Sequence, residues 1–263
     1  MDIKDYALIK KATLTDIGDA IREKEGSAEL IPEPDMAARV REISGGFPWE
    51  DTITRVSLYS LNKFGKKSVK LHFKKCSNLD NFITAAANEV ETDRINTTVE
   101  ELEIRSDAKI QRATSMISYN NFHIDLVLRK LTLHLDLSQV TSIDGFVKNL
   151  RALESIEGDP LDFSSAIYGG TSFATSTPVL KEIRFTGVII QSMELTSTVL
   201  SKDSIVSMMI CLSAEVIGKT LTLSKEAVDK AFETSPGAAD GSDSAEWQNL
   251  VASKPNWTIS LKT

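Results

Sequence analysis

The sequence contains few of the residues that usually carry catalysis or metal binding. Its 263 residues include two cysteines and three histidines. Cys76 and Cys211 lie far apart beside apolar stretches, which predicts two buried, reduced thiols rather than a disulfide framework. No two histidines have the i, i+4 spacing of a zinc-binding helix, and the sequence lacks a C-x-x-C pair and a G-x-S-x-G nucleophile elbow. We therefore expect no metal site, no cofactor and no enzymatic activity. A carboxylate pair among the 37 acidic residues is the one route to glycan hydrolysis left open.

An excess of positive charge and long apolar runs are also missing. The net charge of −7 gives no electrostatic attraction to nucleic acid or to an anionic membrane. No apolar run approaches the roughly 20 residues that span a bilayer, and residues 1–5 lack the features of a signal peptide. We therefore expect no nucleic-acid partner, no membrane insertion, and synthesis in the cytoplasm with any exit by a route other than secretion.

Two short amphipathic helices are predicted over residues 13–24 and 35–43. Pro32 and Pro34 separate them, because each proline lacks an amide proton and restricts the residue before it. Neither helix can bury much apolar surface alone, so both are predicted to pack on a partner. Residues 44–49, with two glycines and a proline, are predicted to be a linker. The residues predicted to form an assembly interface on these helices are Leu14, Ile17, Ile21, Met36 and Val40.

From residue 50 onward the chain repeats a short pattern, apolar-x-x-apolar-x-apolar, with β-prone residues at its end. Copies occupy residues 99–104, 128–133, 180–185, 219–223 and 257–261. One short strand per unit, followed by a loop or helix, is typical of a solenoid. The predicted inward-facing anchors are Leu102, Leu131 and Leu221. The strand residues predicted to face solvent are His72, Glu103, Thr132 and His134.

The C-terminal part of the chain is predicted to alternate strands with capped helices. Ser201, Ser224, and either Ser242 or Ser244 are the predicted N-caps, since each precedes an apolar stripe of helical period. Gly218-Lys219-Thr220 matches the end of a phosphate-binding loop, but here a helix precedes the glycine and a strand follows it. Phosphate binding requires the opposite order, so Gly218 is predicted to end the helix and no nucleotide is expected.

Two parts of the sequence resemble known protein families. The repeats over residues 99–261 resemble the irregular leucine-rich-repeat proteins of the bacterial surface-antigen (BspA-like) type. The closing part, from "LSKDSIVSMMICLS" to "KPNWTISL", resembles repeat proteins encoded in tail regions of phages and prophages of Gram-positive bacteria. The segment "LTDIGDAIREKEGSAELIPEPDMAARVREI" is similar to a module at the front of phage tail and virion proteins. The positions that carry this last similarity are Ile21, Arg22, Lys24, Gly26, Ile31, Pro32, Met36 and Val40.

These resemblances imply a fold and a function. The implied fold is an α+β solenoid over residues 50–263, an irregular leucine-rich-repeat domain of short strands with intervening loops and helices. A helical attachment module over residues 1–43 precedes it. The implied function is that of a non-enzymatic virion protein of the phage tail or baseplate, oligomeric in the particle and bound to other virion proteins. Its repeat domain would bind a glycan or protein of the host surface.

Three other functions remain open. The first is a purely structural tail or virion protein without a host ligand. The second is a tail-associated glycan hydrolase, and the third is a bacterial interaction protein unrelated to virions.

Two predicted loops, residues 118–123 and 167–173, place aromatic rings beside short polar side chains. Loops on a rigid scaffold often carry binding residues, and a ring flanked by asparagine or serine suits a sugar. The alternative for Phe122 and Phe173 is that their rings pack into the core instead of binding a ligand. The residues predicted to bind ligand are Tyr119, Asn121, Tyr168 and Thr171.

Overall fold

The computed structural model describes residues 54–56, 61–84, 96–119, 127–235 and 237–263. All of them belong to the second of two compact units, Phe47–Thr263. Several predictions lie outside the described residues: the helical attachment module, the linker, Asn121, Phe122, and the assembly-interface residues Leu14, Ile17, Ile21, Met36 and Val40.

The described residues form short strands, and the last strands alternate with helices. In chain order the strands are β1 (Ser68–Phe73), β2 (Ile83–Thr84), β3 (Glu101–Ser106), β4 (Ile117–Ser118), β5 (Lys130–His134), β6 (Val147–Lys148), β7 (Ser155–Gly158), β8 (Leu161–Asp162), β9 (Ala174–Thr175), β10 (Phe185–Thr186), β11 (Met193–Leu195), β12 (Lys219–Ser224) and β13 (Trp257–Lys262). The helices are α1 (Lys202–Cys211), α2 (Lys225–Phe232) and α3 (Ala245–Ala252).

The strands stack into a parallel β-solenoid of about five turns. Each of the first turns gives one strand to a long ladder, β1-β3-β5-β7, and one to a short ladder, β2-β4-β6-β9. Further parallel pairing joins β8 to β10, β11 to β12, and β12 to β13. A repeat solenoid is therefore confirmed. The predicted copies at 99–104, 128–133, 219–223 and 257–261 contain strands, whereas the copy at 180–185 has only an isolated bridge at Glu182 and the first residue of β10. The solenoid is mainly β-structure, because the described α-helices are few and all lie between residues 202 and 252.

The register of the long ladder places the anchor residues in one buried column. Val69 pairs with Leu102, Leu102 with Leu131, and Leu131 with Ile156. Leu102, Leu131 and Leu221 are all buried, as predicted. Since side chains alternate along a strand, the intervening residues point outward. His72 is exposed, which confirms the prediction for it, whereas His134 is half-buried on the outward side of β5.

Aromatic and sulfur-containing side chains fill the core behind the short ladder. Each strand of the short ladder is directly preceded by a buried side chain. These are Phe82 before β2, Met116 before β4, Phe146 before β6 and Phe173 before β9. The rings of Phe146 and Phe173 are stacked with centroids 5.4 Å apart. Core packing, the alternative considered for Phe173, is therefore what the structure shows. Cys76 and Cys211 are buried free thiols, as predicted.

Helix α1 packs against β10 and helix α2 against β12, and all three helices are capped by serine side chains. The hydroxyls of Ser201, Ser224 and Ser244 accept hydrogen bonds from backbone N–H groups of the first helical turns, so Ser244 is the third cap. The prediction for Gly218 is wrong. Helix α1 ends at Cys211, and Gly218, with a φ of 71°, directly precedes β12 instead.

The described residues contain no helix long and apolar enough to cross a membrane. In the same part of the chain, no three His, Cys, Asp or Glu side chains are grouped so that they could hold a metal ion.

Candidate functional site

The four predicted ligand-binding residues have different environments. Tyr168 is 65% exposed, and Thr171 is exposed in the short 3-10 helix Gly170–Ser172. Tyr119 is only 1% exposed, so its predicted place on the binding surface is wrong. Residues two apart along an extended chain share a face, and Tyr119 therefore points inward with the buried Ile117. Asn121 lies outside the described residues.

Tyr168 is held by backbone hydrogen bonds to the preceding turn of the solenoid. It forms a parallel β-bridge with Ser142. Its N–H donates to the Thr141 carbonyl at 3.3 Å, and its own carbonyl accepts from the Ile143 N–H at 3.0 Å. Because bridged residues project their side chains to the same side, the Tyr168 ring and the Ser142 hydroxyl share one surface.

A polar groove of about 260 Å³ lies beside this bridge. Its lining comes from two neighbouring turns, which the hydrogen bond from the Ser115 N–H to the Asp144 carbonyl joins at 2.7 Å. Amide, hydroxyl and guanidinium groups therefore face a space directly next to an exposed tyrosine. We call Tyr168 and this groove the Tyr168 face. The lining residues are Gln111, Arg112, Thr114, Thr141 and Ser142.

The buried carboxylate of Asp80 holds two of the residues that line the groove. The Arg112 Nε lies 2.6 Å from Oδ2 of Asp80, whose side chain is only 7% exposed. The other carboxylate oxygen of Asp80 accepts from the Thr114 N–H at 2.8 Å. Asp80 thus orients two lining residues at once, and it balances the charge of Arg112.

A larger groove of about 510 Å³ lies at the carboxyl ends of β3 and β5. Its charged groups bind one another. Oδ1 of Asp107 lies 2.8 Å from the His72 Nε2 and 3.4 Å from the Arg105 Nε, and His134 Nδ1 lies 3.5 Å from Asp159 Oδ1. A ligand would have to displace these contacts. The residues that line it are Arg105, Ser106, Asp107, His134, Leu135, Asp136 and Asp159.

Two carboxyl groups that line the larger groove, those of Asp107 and Asp136, have a lowered pKa. The hydrogen bond with His72 lowers the pKa of Asp107, and hydrogen bonds from Ser138 lower the pKa of Asp136. A glycosidase needs one carboxylic acid whose pKa is raised so that it can protonate the leaving group. Both shifts have the opposite direction, so this pair offers no such acid.

The outer face of the long ladder is covered by ion pairs across neighbouring strands. Lys67–Glu100, Lys70–Glu103 and Arg129–Glu154 are each separated by 2.8 Å. Exposed pairs of this kind contribute little stability, but they leave a face of alternating charge without a dominant sign. This face offers a ligand neither a cavity nor a strong field.

The residues of the groove were not predicted from the sequence, although a signal for them exists. The short ladder is entered through a repeated tetrapeptide: "DNFI" (80–83), "TSMI" (114–117), "DGFV" (144–147) and "TSFA" (171–174). Aligning the first three copies places Asn78, Arg112 and Ser142 at one equivalent position, two residues before each. The bridge between Asn78 and Arg112 shows that this alignment is the structural one.

Comparison of the chain with protein-family models, with curated proteins and with solved structures finds no match.

Proposed function

We propose that the chain is a non-enzymatic virion protein of a phage tail or baseplate, whose irregular leucine-rich-repeat solenoid binds a host-surface glycan through the Tyr168 face. The observation that carries this proposal is the exposed Tyr168, whose backbone is fixed by its bridge to Ser142 beside a polar groove. A ring supplies a stacking surface, while the hydroxyls and the amide supply hydrogen bonds. This combination suits a sugar, which has apolar ring faces and a polar edge.

The scaffold supports binding rather than chemistry. Tyr168 and the groove lie on turns whose backbones are hydrogen-bonded to one another, so little ordering is needed when a ligand binds. In the larger groove, hydrogen bonds lower the pKa of Asp107 and of Asp136, and Asp107 is already paired with His72. A binding protein needs only the preorganised Tyr168 face. A hydrolase would also need a carboxylic acid with a raised pKa.

A purely structural virion protein is the second candidate. It is favoured by Ile210 and Ile217, which are 67% and 80% exposed near the C-terminal helices. Exposed aliphatic side chains of this size commonly mark contacts with a neighbouring protein. In this alternative the solenoid packs against other tail proteins and binds no host ligand.

Two measurements on the full-length protein separate these candidates. Mass spectrometry of purified virions should detect the protein as a stoichiometric component, and its absence would contradict both. Fluorescently labelled protein should bind intact host cells and lose binding when cell-wall polysaccharide is added as a competitor. Presence in virions without any cell binding would favour the structural candidate.

A further inference from the structure

We infer that the ligand of the Tyr168 face is an extended, uncharged glycan chain that lies along the solenoid axis, from Tyr168 across Ser142 to Gln111 and Arg112. The inference rests on the proposed function, since it names the ligand class of the same site.

The arrangement of the site sets the direction of the ligand. Tyr168, Ser142 and Arg112 come from three successive turns, and Asn78 lies one turn further through its bridge to Arg112. Neighbouring parallel strands are about 4.8 Å apart, so three turns span about 10 Å and four about 14 Å. One sugar ring on Tyr168 cannot also reach Gln111. A ligand that uses the whole face is therefore longer than one sugar and runs across the turns.

The charges of the site determine the chemistry of the ligand. Gln111, Thr114, Thr141 and Ser142 carry no charge, and they line most of the groove. The remaining lining residue, Arg112, lies 2.6 Å from the buried Asp80 carboxylate. The Asp80 carboxylate thus balances the charge of Arg112, so the groove carries no net positive charge that would attract an anionic ligand. Amides and hydroxyls instead match the hydroxyl groups of a neutral sugar.

The loop that carries Tyr168 is fixed in position by close backbone packing. Gly169 has a φ of 86°, and a Cβ atom there would overlap the Asp144 backbone. The next residue, Gly170, donates its N–H to Oε1 of the buried Gln191 at 3.0 Å. These contacts fix the backbone directly after Tyr168, so Tyr168 serves as a preorganised anchor for one end of the ligand.

The test uses calorimetric titration of the full-length protein with cell-wall polysaccharide from Gram-positive cells. The polysaccharide is separated by anion exchange into neutral and anionic fractions, and each is partially hydrolysed and sorted by length. We expect the neutral fraction to bind, with an affinity that rises with length up to three or four sugars. This affinity should be the same at low and high salt, because no ion pair forms.

Three variants locate the ligand. Tyr168→Ala should weaken binding of every neutral length by up to about tenfold, the value of a lost stacking contact. Gln111→Ala should weaken only the longer chains, because a single sugar on Tyr168 does not reach it. Gln248→Ala, in α3, is the matched amide control and should leave binding unchanged.

Each unfavourable result is distinguishable. Binding of the anionic fraction alone, or a salt-sensitive affinity, would overturn the neutral ligand but leave glycan binding intact. Equal affinity for one sugar and for long chains, or the same effect of Gln111→Ala on both, would overturn the extended ligand. Binding of no fraction would contradict the proposed function together with this inference.

Discussion

At the scale of single residues, the strand register decides which substitutions the solenoid tolerates. Leu131 is fully buried between Leu102 and Ile156, whereas the next residue, Thr132, faces outward. Leu131→Ala should lower the free energy of unfolding by about 2–5 kcal/mol, because it removes buried methyl groups and leaves a cavity. Thr132→Ala should change it by less than about 0.5 kcal/mol. Denaturant unfolding of both variants measures the difference, and a reversed order would mean that the register is wrong by one residue.

Gly158 and Gly218 both have a positive φ, but only Gly158 is closely packed, so substituting each of them distinguishes the cost of backbone strain from the cost of steric overlap. Gly158 has a φ of 92° and Gly218 a φ of 71°. A Cβ atom at Gly158 would overlap the Leu133 carbonyl, whereas one at Gly218 would meet nothing within 4 Å. Gly218→Ala should therefore cost about 1–2 kcal/mol from the backbone conformation alone. Gly158→Ala should cost clearly more, since the turns must also separate. Equal losses in thermal unfolding would show that the turns at Gly158 are not tightly packed.

At the scale of elements, helix α1 replaces a strand as the partner of the preceding turn. The Ser204 hydroxyl donates to the Lys181 carbonyl at 2.9 Å and accepts from the Ile183 N–H at 3.0 Å. These are contacts that a neighbouring strand would otherwise make. The Ser204 side chain of the helix therefore supplies hydrogen-bond partners for the Lys181 carbonyl and the Ile183 N–H, beyond the last strand of the long ladder.

This substitution of helix for strand gives a prediction. Ser204→Ala leaves the buried Ile183 N–H without its acceptor, which should lower the free energy of unfolding by about 1–3 kcal/mol. Ser253→Ala is the control, because the Ser253 hydroxyl bonds at the exposed end of α3. It should cost well under half as much. Urea unfolding of both variants measures these changes in unfolding free energy. Similar small losses for both would show that the Ser204 contact with the Ile183 N–H contributes little stability.

The elements that could be predicted from the sequence are those with enough residues to show a period. The strands around Leu102, Leu131 and Leu221 carry several alternating apolar positions, and the serine caps precede clear helical stripes. The strands of the short ladder have two residues each, which is too few for alternation to be visible. Tyr119 was misplaced for this reason, because its inward direction depends on β4.

The groove could not be predicted because it depends on the pairing of distant turns. Arg112 and Ser142 belong to neighbouring turns, and only an alignment of the repeated tetrapeptides at 114–117 and 144–147 relates one to the other. The same holds for the contact of Arg112 with Asp80, 32 residues earlier in the sequence. Only Tyr168 and Thr171 could be chosen from the sequence, since an aromatic ring beside glycines and threonine is a local pattern.

At the scale of the whole molecule, residues 1–43 are proposed to serve attachment in the particle. A variant that begins at Phe47, the start of the second compact unit, should remain folded because the solenoid has its own core. It should fail to enter virions if the N-terminal segment binds other tail proteins. Circular dichroism and mass spectrometry of purified particles test the two statements separately. Normal incorporation of the shortened protein would contradict the attachment role.

The most direct test of the account is the adsorption of wild-type protein, Tyr168→Ala and Ile217→Ala to intact host cells, with the melting temperature of each recorded. Tyr168 and Ile217 are both largely exposed, so neither change should shift melting appreciably. The account predicts that Tyr168→Ala loses most adsorption, because it removes the stacking ring of the Tyr168 face, while Ile217→Ala adsorbs like the wild type. Equal adsorption by all three folded proteins would contradict host binding through the Tyr168 face.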